Sequence, residues 1–431
     1  MSFRTKQDGV FMTSHTSTNK SSWLKPPDSY QIGSVLDGHV AAAKKTLHGR
    51  QLIRNRVAEK GRTSIYDLTG LVRSFPLDPE DLPMISSQID FEVFFGGQAE
   101  ELAIKTMGGD LSHHGAVICN RVTSGMLGVM LALVNSGDKV LSLIPDGRSH
   151  PSVQQAVELA GGEFFEASKL SDLDAAFNEG AWRALVITPV TPQKYHLDAA
   201  DVKKAVFMAK SRGIMVVLDD AHMYSRMTFY QEPPSFDLGD VDVSVWSLDK
   251  HVPGPRGAAV VAKREVIDEI YAKVFLFGLE AQTGHYVAGL RGMEALQPGP
   301  VQQAGSLARE LLVRLKKSYG NVVYQAGPGV AISDQDFGSL VKKKAGSKEI
   351  KLVSSELSVA ASFVLLQKFG IVTIPVTSGP GAAPAFRLMM HPDGGRLGLD
   401  VIEEAVDIAV NDVAMLVDKP EDAKVLMLGN S

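Results

Sequence analysis

Several features are scarce in this 431-residue sequence, and each scarcity excludes a class of protein. There is one cysteine, Cys119, so no disulfide can form within the chain. No run of 18 uninterrupted apolar residues and no signal-like N-terminal segment occurs, so no membrane partner and a cytoplasmic location are expected. The net charge of -5 gives no indication of a nucleic-acid partner. No metal site is predicted.

The composition is that of an ordinary globular protein, with 45% hydrophobic and 22% charged residues. Predicted strands and helices alternate over the middle of the chain, which indicates a mostly parallel sheet with right-handed crossovers. The length accommodates two domains. We expect an N-terminal arm and helix over 1–60, with the helix at 38–60. A large domain over 61–296 and, after a Pro/Gly break, a small α+β domain over 297–431 would follow.

The stretch between 214 and 259 contains the groups most suited to chemistry. One apolar run ends in Asp219 and Asp220, with His222 shortly after, and a second run ends near Lys250, followed by the turn GPRGA. Ligands in open α/β sheets bind where strands end. A single lysine after a strand is usually a solvated surface residue, and paired aspartates can simply form a turn. Together, an amine and a carboxylate are what pyridoxal phosphate (PLP) requires, one for its aldehyde and one for its ring nitrogen.

This stretch resembles fold-type I PLP enzymes and is most like serine hydroxymethyltransferase. That family has aspartate, a variable residue, alanine and histidine after a buried strand, as in residues 219–222 here, and a Schiff-base lysine before GPRGG, as at Lys250. The resemblance implies a three-layer αβα large domain with a mostly parallel sheet and a smaller α+β C-terminal domain. It also implies PLP as cofactor, with Asp219 at the ring nitrogen, His222 near the ring oxygen and Asp220 as the variable neighbour.

Two further segments are expected to hold the cofactor. Thr123, Ser124 and Gly125 precede an apolar helix, and backbone amides at a helix N-terminus suit a phosphate, so Ser124 and Gly125 are assigned to it. The alternative for these residues is an ordinary helix cap. His150, in the loop DGRSHPS, is expected to stack on the ring as its counterpart does in the resembling families. The alternative is a loop residue facing solvent.

Other residues are assigned to the substrate and to a second subunit. Arg387 lies in an apolar predicted strand, where an unpaired charge is costly, and its fork suits the substrate carboxylate; a structural ion pair is the alternative. Thr188 lies at a strand end and is expected to line the site. Thr283 and Gly284 partly match a hydroxymethyltransferase segment that reaches the phosphate of the neighbouring subunit. The resemblance therefore implies a homodimer with shared sites.

The expected activity is that of a PLP-dependent transferase or lyase acting on a small-molecule amino acid through an external aldimine. Lys250, His150, Asp219 and His222 would be its catalytic residues, with released Lys250 as general acid/base. Cα–Cβ chemistry on a β-hydroxy amino acid is the leading hypothesis: an aldolase, transaldolase or hydroxymethyltransferase-like reaction. Phe94 and Phe95 replace a tyrosine pair of the family and lack the hydroxyl, which disfavours a folate acceptor. Elimination or replacement at the β-carbon, aminotransfer, racemisation and a non-catalytic α/β binding protein stay open.

Overall fold

The computed structural model describes residues 33–145, 148–191, 193–346, 348–378 and 385–430. Its strands are β1 (Tyr66–Asp67), β2 (His114–Cys119), β3 (Lys139–Leu143), β4 (Glu163–Ala167), β5 (Ala184–Ile187), β6 (Met215–Asp219), β7 (Val243–Ser247), β8 (Ala258–Lys263), β9 (Tyr324–Gln325), β10 (Gly329–Ile332), β11 (Ile371–Val372) and β12 (Phe386–Met389). The first nine helices are α1 (His39–Lys60), α2 (Asp81–Met84), α3 (Gln88–Phe95), α4 (Gln98–Thr106), α5 (Val122–Leu133), α6 (Pro151–Leu159), α7 (Leu170–Asn178), α8 (Ala199–Lys210) and α9 (Met223–Phe229). The helices that follow are α10 (Arg264–Leu276), α11 (Thr283–Glu294), α12 (Pro298–Tyr319), α13 (Asp334–Ala345), α14 (Ser354–Phe369), α15 (Ile374–Thr377), α16 (Gly394–Leu397), α17 (Leu399–Leu416) and α18 (Pro420–Leu428).

A seven-stranded sheet forms the centre of the large unit, in the order β2-β8-β7-β6-β5-β3-β4. Its pairs are parallel except those of β8, which runs antiparallel to β2 and to β7. Both faces are covered. In β6, Val217 packs into the cluster that contains residues of α5, α6 and α10, while Val216 and Leu218 pack into the cluster that contains residues of α7 and α8. Because successive strand residues point to opposite faces, this alternation produces three layers. The predicted fold class is confirmed.

The C-terminal part of the chain builds a smaller α+β unit. The antiparallel sheet β12-β10-β9 and the parallel pair β1-β11 share an apolar core with α12, α13, α14 and α17. The N-terminal helix α1 packs against α14, α15 and α18 and so belongs to the same core. No helix in the described ranges has the length and apolarity needed to cross a membrane.

The predicted helix at 38–60 is observed as α1, and only part of its apolar spacing faces the core. Val40 and Leu47 are 72% and 60% exposed, whereas Leu52 and Val57 pack against the core of the small unit. The buried positions are Ala41, Lys45 and Gly49. Small side chains allow α1 to lie close to its neighbours, and a packed helix face does not have to be its most apolar face.

Local sequence is a poor guide to structure at two places in the small unit. A run of lysines such as the one that begins at Val341 is typical of a solvated loop, but Val341–Ala345 is the last turn of α13, where lysines are favourable at the negative end of the helix dipole. The segment GIVTIPV has the apolar pattern of a single strand. It pairs only over Ile371–Val372 and then turns into α15, because Pro375 suits the first turn of a helix. The helix α18 was not predicted, and the expected mobile arm, residues 1–27, lies outside the described residues.

Candidate active site

A cavity of about 250 Å³ opens at the carboxyl ends of β5, β6 and β7, where the large and small units meet. The large unit contributes the N-terminal ends of α5 and α6, the residues after β5 and β6, and the loop after β7. The small unit contributes residues of α15 and β12. This is the edge of a parallel sheet at which ligands bind in α/β folds.

Asp219 and Lys250 occupy the ends of adjacent strands and both line the cavity. Asp219 is buried, and its Oδ1 atom has no hydrogen-bond partner among the described residues. Burial raises the pKa of Asp219, although the charge of Lys250 opposes the shift. Burial likewise lowers the pKa of Lys250, against the attraction of Asp219. The cavity therefore holds an amine that loses its proton more readily than usual, beside a carboxylate with a free oxygen.

The turn that carries Asp219 and His222 is held from behind by a buried ion pair. Arg226 donates from Nε and Nη2 to the two oxygens of Asp220, at 3.1 and 2.6 Å, and both side chains are fully buried. Ser235 Oγ donates to the same carboxylate at 2.9 Å. Asp220 is thus a structural residue, and its neighbours 219 and 222 face the cavity. Burial keeps the pKa of His222 well below its usual value, so its ring is neutral.

His150 lies at the first turn of α6 and lines the cavity. Its Nδ1 accepts from the backbone amide of Ser152 at 3.2 Å and lies 2.7 Å from Ser152 Oγ. The residue is exposed and lines the cavity. Desolvation by the surrounding protein lowers the pKa of His150 to about 4, and the charges of Lys250 and Arg121 act in the same direction. The ring is a neutral, flat group at neutral pH.

The N-terminal end of α5 reaches the cavity through different residues from those expected. Arg121, Val122 and Thr123 line it, whereas Ser124 and Gly125 are not among the lining residues. A Cβ on Gly125 would come within 2.7 Å of Val260 Cγ2, so this glycine lets the helix pack on the sheet. The role of Ser124 and Gly125 at a phosphate stays a prediction.

Two arginines that the sequence analysis left unassigned lie at the same end of the cavity. Arg121 and Arg256 both line it, and neither guanidinium group makes a hydrogen bond or ion pair with a described residue. Burial lowers the pKa of Arg256 to about 10, and the neighbouring charges of Arg73 and Arg121 add to the shift. Two neighbouring positive charges without acidic partners favour the binding of an anion between them. The GPRGA motif contained Arg256, but nothing in the local sequence around Arg121 indicated its position.

Arg387 lies in β12 and is 9% exposed, with its side chain directed at the cavity. Among the described residues it has no ion-pair partner, so the alternative of a structural ion pair is not observed. Burial lowers the pKa of Arg387 to about 10, which still leaves it charged at neutral pH. Thr188 also lines the cavity, and its Oγ1 has no hydrogen-bond partner among the described residues.

Four residues named from the resemblance lie outside this cavity. Thr283 and Gly284 begin α11 and do not line the cavity of their own chain. Phe95 is buried against Phe91 in the core, and Phe94 is 45% exposed at the surface. The predicted role of Thr283 and Gly284 in a neighbouring subunit stays a prediction.

The residues present fit PLP. The aldehyde requires an amine of lowered pKa, which Lys250 provides, and the ring nitrogen requires a carboxylate with a free oxygen, which Asp219 provides. Unpaired guanidinium groups and a helix N-terminus suit its phosphate. Within the described ranges, no group of three histidine, cysteine or acidic side chains could hold a metal ion.

Comparison with known sequences gives relatives of matching length. No family model matches the chain. A UPF0425 pyridoxal phosphate-dependent protein of Methanothermobacter thermautotrophicus is 30% identical over 397 residues, which is 92% of this chain and 100% of the relative. An 8-amino-7-oxononanoate synthase of Pseudomonas syringae pv. syringae is 27% identical over 209 residues, covering 47% of this chain and 50% of the relative.

Solved structures of PLP enzymes share the fold. A SepCysS in complex with the SepCysE N-terminal domain gives a TM-score of 0.56 at 16% identity, over 83% of this chain and 99% of the other. Serine palmitoyltransferase from S. paucimobilis, solved with a PLP–myriocin aldimine, gives a TM-score of 0.56 at 17% identity, over 80% of this chain and 88% of the other. At such identities the likeness concerns the fold alone.

Proposed function

The chain belongs to the UPF0425 family of pyridoxal phosphate-dependent proteins and has the fold of fold-type I PLP enzymes, and from this premise we propose that it acts at the Cα–Cβ bond of an amino acid. PLP dependence and enzymatic activity follow from the relatives and the fold. The substrate and the bond are our proposal. The preferred substrate class is a β-hydroxy amino acid.

One observation carries the proposal: a free amine, a free carboxylate oxygen and an unpaired guanidinium converge on one cavity. These groups are Lys250, Asp219 and Arg387. Each is buried or half-buried at a cost that its own chain does not offset. A cofactor with an aldehyde and a ring nitrogen, together with a substrate carboxylate, would satisfy all three.

PLP, when bound, supplies an electron-accepting ring that stabilises negative charge at the substrate Cα. Lys250 would hold the cofactor and, once released, move protons at Nζ, for which its lowered pKa suits it. Asp219 Oδ1 would accept a hydrogen bond from the ring nitrogen and so keep that nitrogen protonated, and His150 would fix the ring plane by stacking. Arg121, Arg256 and the backbone at Thr123 would bind the phosphate.

On the substrate side, Arg387 would orient the amino acid through its carboxylate, because a guanidinium fork matches that group with two hydrogen bonds. The unpaired Thr188 hydroxyl lies in the same cavity and would contact the substrate. The neutral ring of His222 would adjoin the ring oxygen of the cofactor. Support for Cα–Cβ chemistry comes from the residues 219–222 and 254–258 that resemble hydroxymethyltransferases.

Acyl transfer to an amino acid is a second candidate. It is favoured by the 8-amino-7-oxononanoate synthase relative and by the serine palmitoyltransferase fold, whose names state a synthase and an acyltransferase. Acyl transfer to Cα also forms a carbon–carbon bond there. The two candidates therefore differ in the second substrate, an aldehyde or an acyl ester.

We also propose that the enzyme is a homodimer with shared sites. Apolar side chains project to solvent from α3 (Ile89 77%, Val93 73%) and from the end of α10 (Phe275 66%, Leu276 70%). Apolar groups exposed in this way suit an interface between subunits. The second segment leads into Thr283 and Gly284, which are free to reach a partner's cavity.

The test begins with an absorbance spectrum of the purified protein beside Lys250→Ala. We expect a band near ~420 nm in the wild type, removed by borohydride and absent from the variant, from the chemistry of a lysine-bound PLP. The holoenzyme is then incubated with L-serine or L-threonine and the aldehyde product is measured. In parallel, L-serine is supplied with an acyl thioester and the released thiol is measured. Thiol release without aldehyde would favour acyl transfer, and a spectrum unaltered by any amino acid would refute the substrate class.

A further inference from the structure

Lys45, on the N-terminal helix α1, is 4% exposed although it carries an amine. Its Nζ donates to the backbone oxygen of Pro375 at 2.6 Å and, more weakly, to Ser378 O at 3.3 Å and Ser378 Oγ at 3.4 Å. Among the described residues it has no acidic partner. The amine is thus held by the carbonyl end of α15 and by the residue that follows it.

The contact between α1 and α15 is close along its length. Thr46 Oγ1 also donates to Ser378 O, at 2.8 Å. One turn further along α1, Gly49 faces Val376, and a Cβ on this glycine would lie 2.5 Å from Val376 Cγ1. The backbone of α1 at Gly49 therefore packs directly against the Val376 side chain of α15. Such close packing leaves α15 little freedom to shift relative to α1.

The same short segment also borders the cavity. Ile374, Thr377 and Ser378 line it together with Lys250 and Arg387. The hydroxyl Oγ1 of Thr377 is buried and has no hydrogen-bond partner among the described residues. A buried hydroxyl without a partner is costly unless a ligand satisfies it. Nothing in the proposed mechanism uses this group.

Burying an amine against carbonyl and hydroxyl oxygens, with no acidic partner among the described residues, is costly. An apolar side chain at position 45 would fill the space at lower cost but would remove the side-chain donor to Pro375 O, while Ser378 O would keep Thr46 Oγ1 as its donor. These contacts hold α15 in a fixed position, and α15 forms part of one wall of the cavity.

We propose that Lys45 is a positioning residue that holds α15 against the cavity, so that Thr377 Oγ1 contacts the polar β-substituent of the amino-acid substrate. This inference rests on the proposed function for the identity of the ligand. The small unit would then contact the substrate through α15, and Lys45 of the N-terminal helix would fix the position of α15. Thr377 would be the specificity-determining residue and Lys45 would act through it.

The experiment compares four variants of the full-length holoenzyme with the wild type. Lys45→Met removes the donors and keeps the stem, Lys45→Arg restores a charge and donors, and Thr377→Val removes the hydroxyl at constant shape. Lys44→Met is the matched control, because Lys44 is the exposed neighbour on the same helix. Three quantities are measured: amide hydrogen exchange over 374–378, PLP affinity, and the concentration of L-serine that half-saturates the spectral change, with L-alanine for comparison.

Lys45→Met should speed exchange of the Val376 and Ser378 amides, which bond to Thr373 O and Ile374 O, by about tenfold or more, as expected for loss of charged hydrogen bonds. Its half-saturating L-serine concentration should rise by a similar factor, with PLP affinity unchanged and with partial recovery in Lys45→Arg. Thr377→Val should weaken L-serine about three- to tenfold and L-alanine hardly at all, the effect of one hydrogen bond. Lys44→Met should match the wild type.

Exchange equal to that of the wild type in Lys45→Met would overturn the positioning role whatever the substrate is. A parallel loss of PLP affinity would also overturn it, since the effect would then be on the fold as a whole. If the wild type binds PLP but not L-serine, the role of Thr377 fails with the β-hydroxy assignment, while the exchange measurement still decides the role of Lys45. Absence of PLP from the wild type would refute the proposed function and leave the exchange result standing by itself.

Discussion

The buried ion pair between Arg226 and Asp220 provides the sharpest test of how the cavity is supported. Arg226 is 0% exposed and donates to both oxygens of Asp220, to Pro233 O at 2.7 Å and to Glu232 Oε2 at 3.4 Å. The change Arg226→Met keeps an unbranched apolar side chain in the space and removes every one of these donors. Asp220, itself 1% exposed, is left with Ser235 Oγ as its remaining side-chain donor.

The expected cost is about 3–5 kcal/mol in the free energy of unfolding, because removal of one partner strands a buried charge. The double variant Arg226→Met with Asp220→Asn removes that charge as well, and it should recover about half of the loss. Unfolding by urea, followed by circular dichroism, gives both numbers from the midpoint and slope. The control Arg314→Met, which removes a half-buried arginine from its surface pairs with Glu310, Asp400 and Glu403, should resemble the wild type.

The same variants report on the site. Asp219 directly precedes Asp220, and Met223 N donates to Asp220 O at 2.8 Å, so loss of the ion pair should also weaken PLP binding through the turn that carries Asp219 and His222. A loss of less than about 1 kcal/mol in Arg226→Met would refute the reasoning, since that value is typical of a surface pair. So would a double variant no more stable than the single one.

Four further predictions concern single side chains. Asp219→Asn keeps the shape but not the charge, and kcat should fall about a hundredfold or more, as measured by steady-state kinetics with PLP in excess. Arg387→Lys loses the fork, and KM for the amino acid should rise about tenfold or more with kcat less affected; an unchanged KM would count against carboxylate binding. His150→Phe should retain more PLP affinity than His150→Ala, because the pKa of about 4 makes a neutral ring the native state and stacking its role. Burial lowers the pKa of Lys45 to about 8, so the unfolded chain binds more protons than the folded chain above that pH. The stability of the wild type relative to Lys45→Met, measured by urea unfolding, should therefore rise by about 1.4 kcal/mol per pH unit between pH 8 and 10. A stability difference that falls over this range would contradict the lowered pKa.

The parts of the site that lie on one stretch of chain were predictable. Asp219 is the last residue of a buried strand, and His222 and Lys250 each lie three residues beyond a strand end. A parallel sheet brings adjacent strand ends together, so the meeting of these residues follows from the pattern of apolar runs. The three-layer fold was predictable for the same reason, because the alternation of strands and helices sets it. The antiparallel β8 follows the loop that carries Lys250, and it shows no local sequence signal that distinguishes it from its neighbours.

Groups that are assembled from distant segments could not be placed from the sequence. Lys45 could not be singled out, because a lysine on a helix is usually solvated and nothing in the local sequence marks this one as buried. Arg121 and Arg256 are 135 positions apart in number, and their proximity depends on β2 lying beside β8. Their lack of partners is a property of the folded cavity and leaves no trace in local composition.

The sequence suggested a role for Arg387 but could not show what holds its side chain near Lys250. Its strand is linked to the Lys250 loop by the extended segment 66–72. Met389 N donates to Leu68 O at 3.0 Å and Gly70 N to His391 O at 3.1 Å, and from the other side His251 N donates to Gly70 O at 3.0 Å. Because this segment bonds to both strand ends at once, the guanidinium and the amine are held across one cavity by the backbone itself. The predicted domain limits at 60 and 296 stay a prediction, but a site built across them needs such a link, since separate units would otherwise move independently.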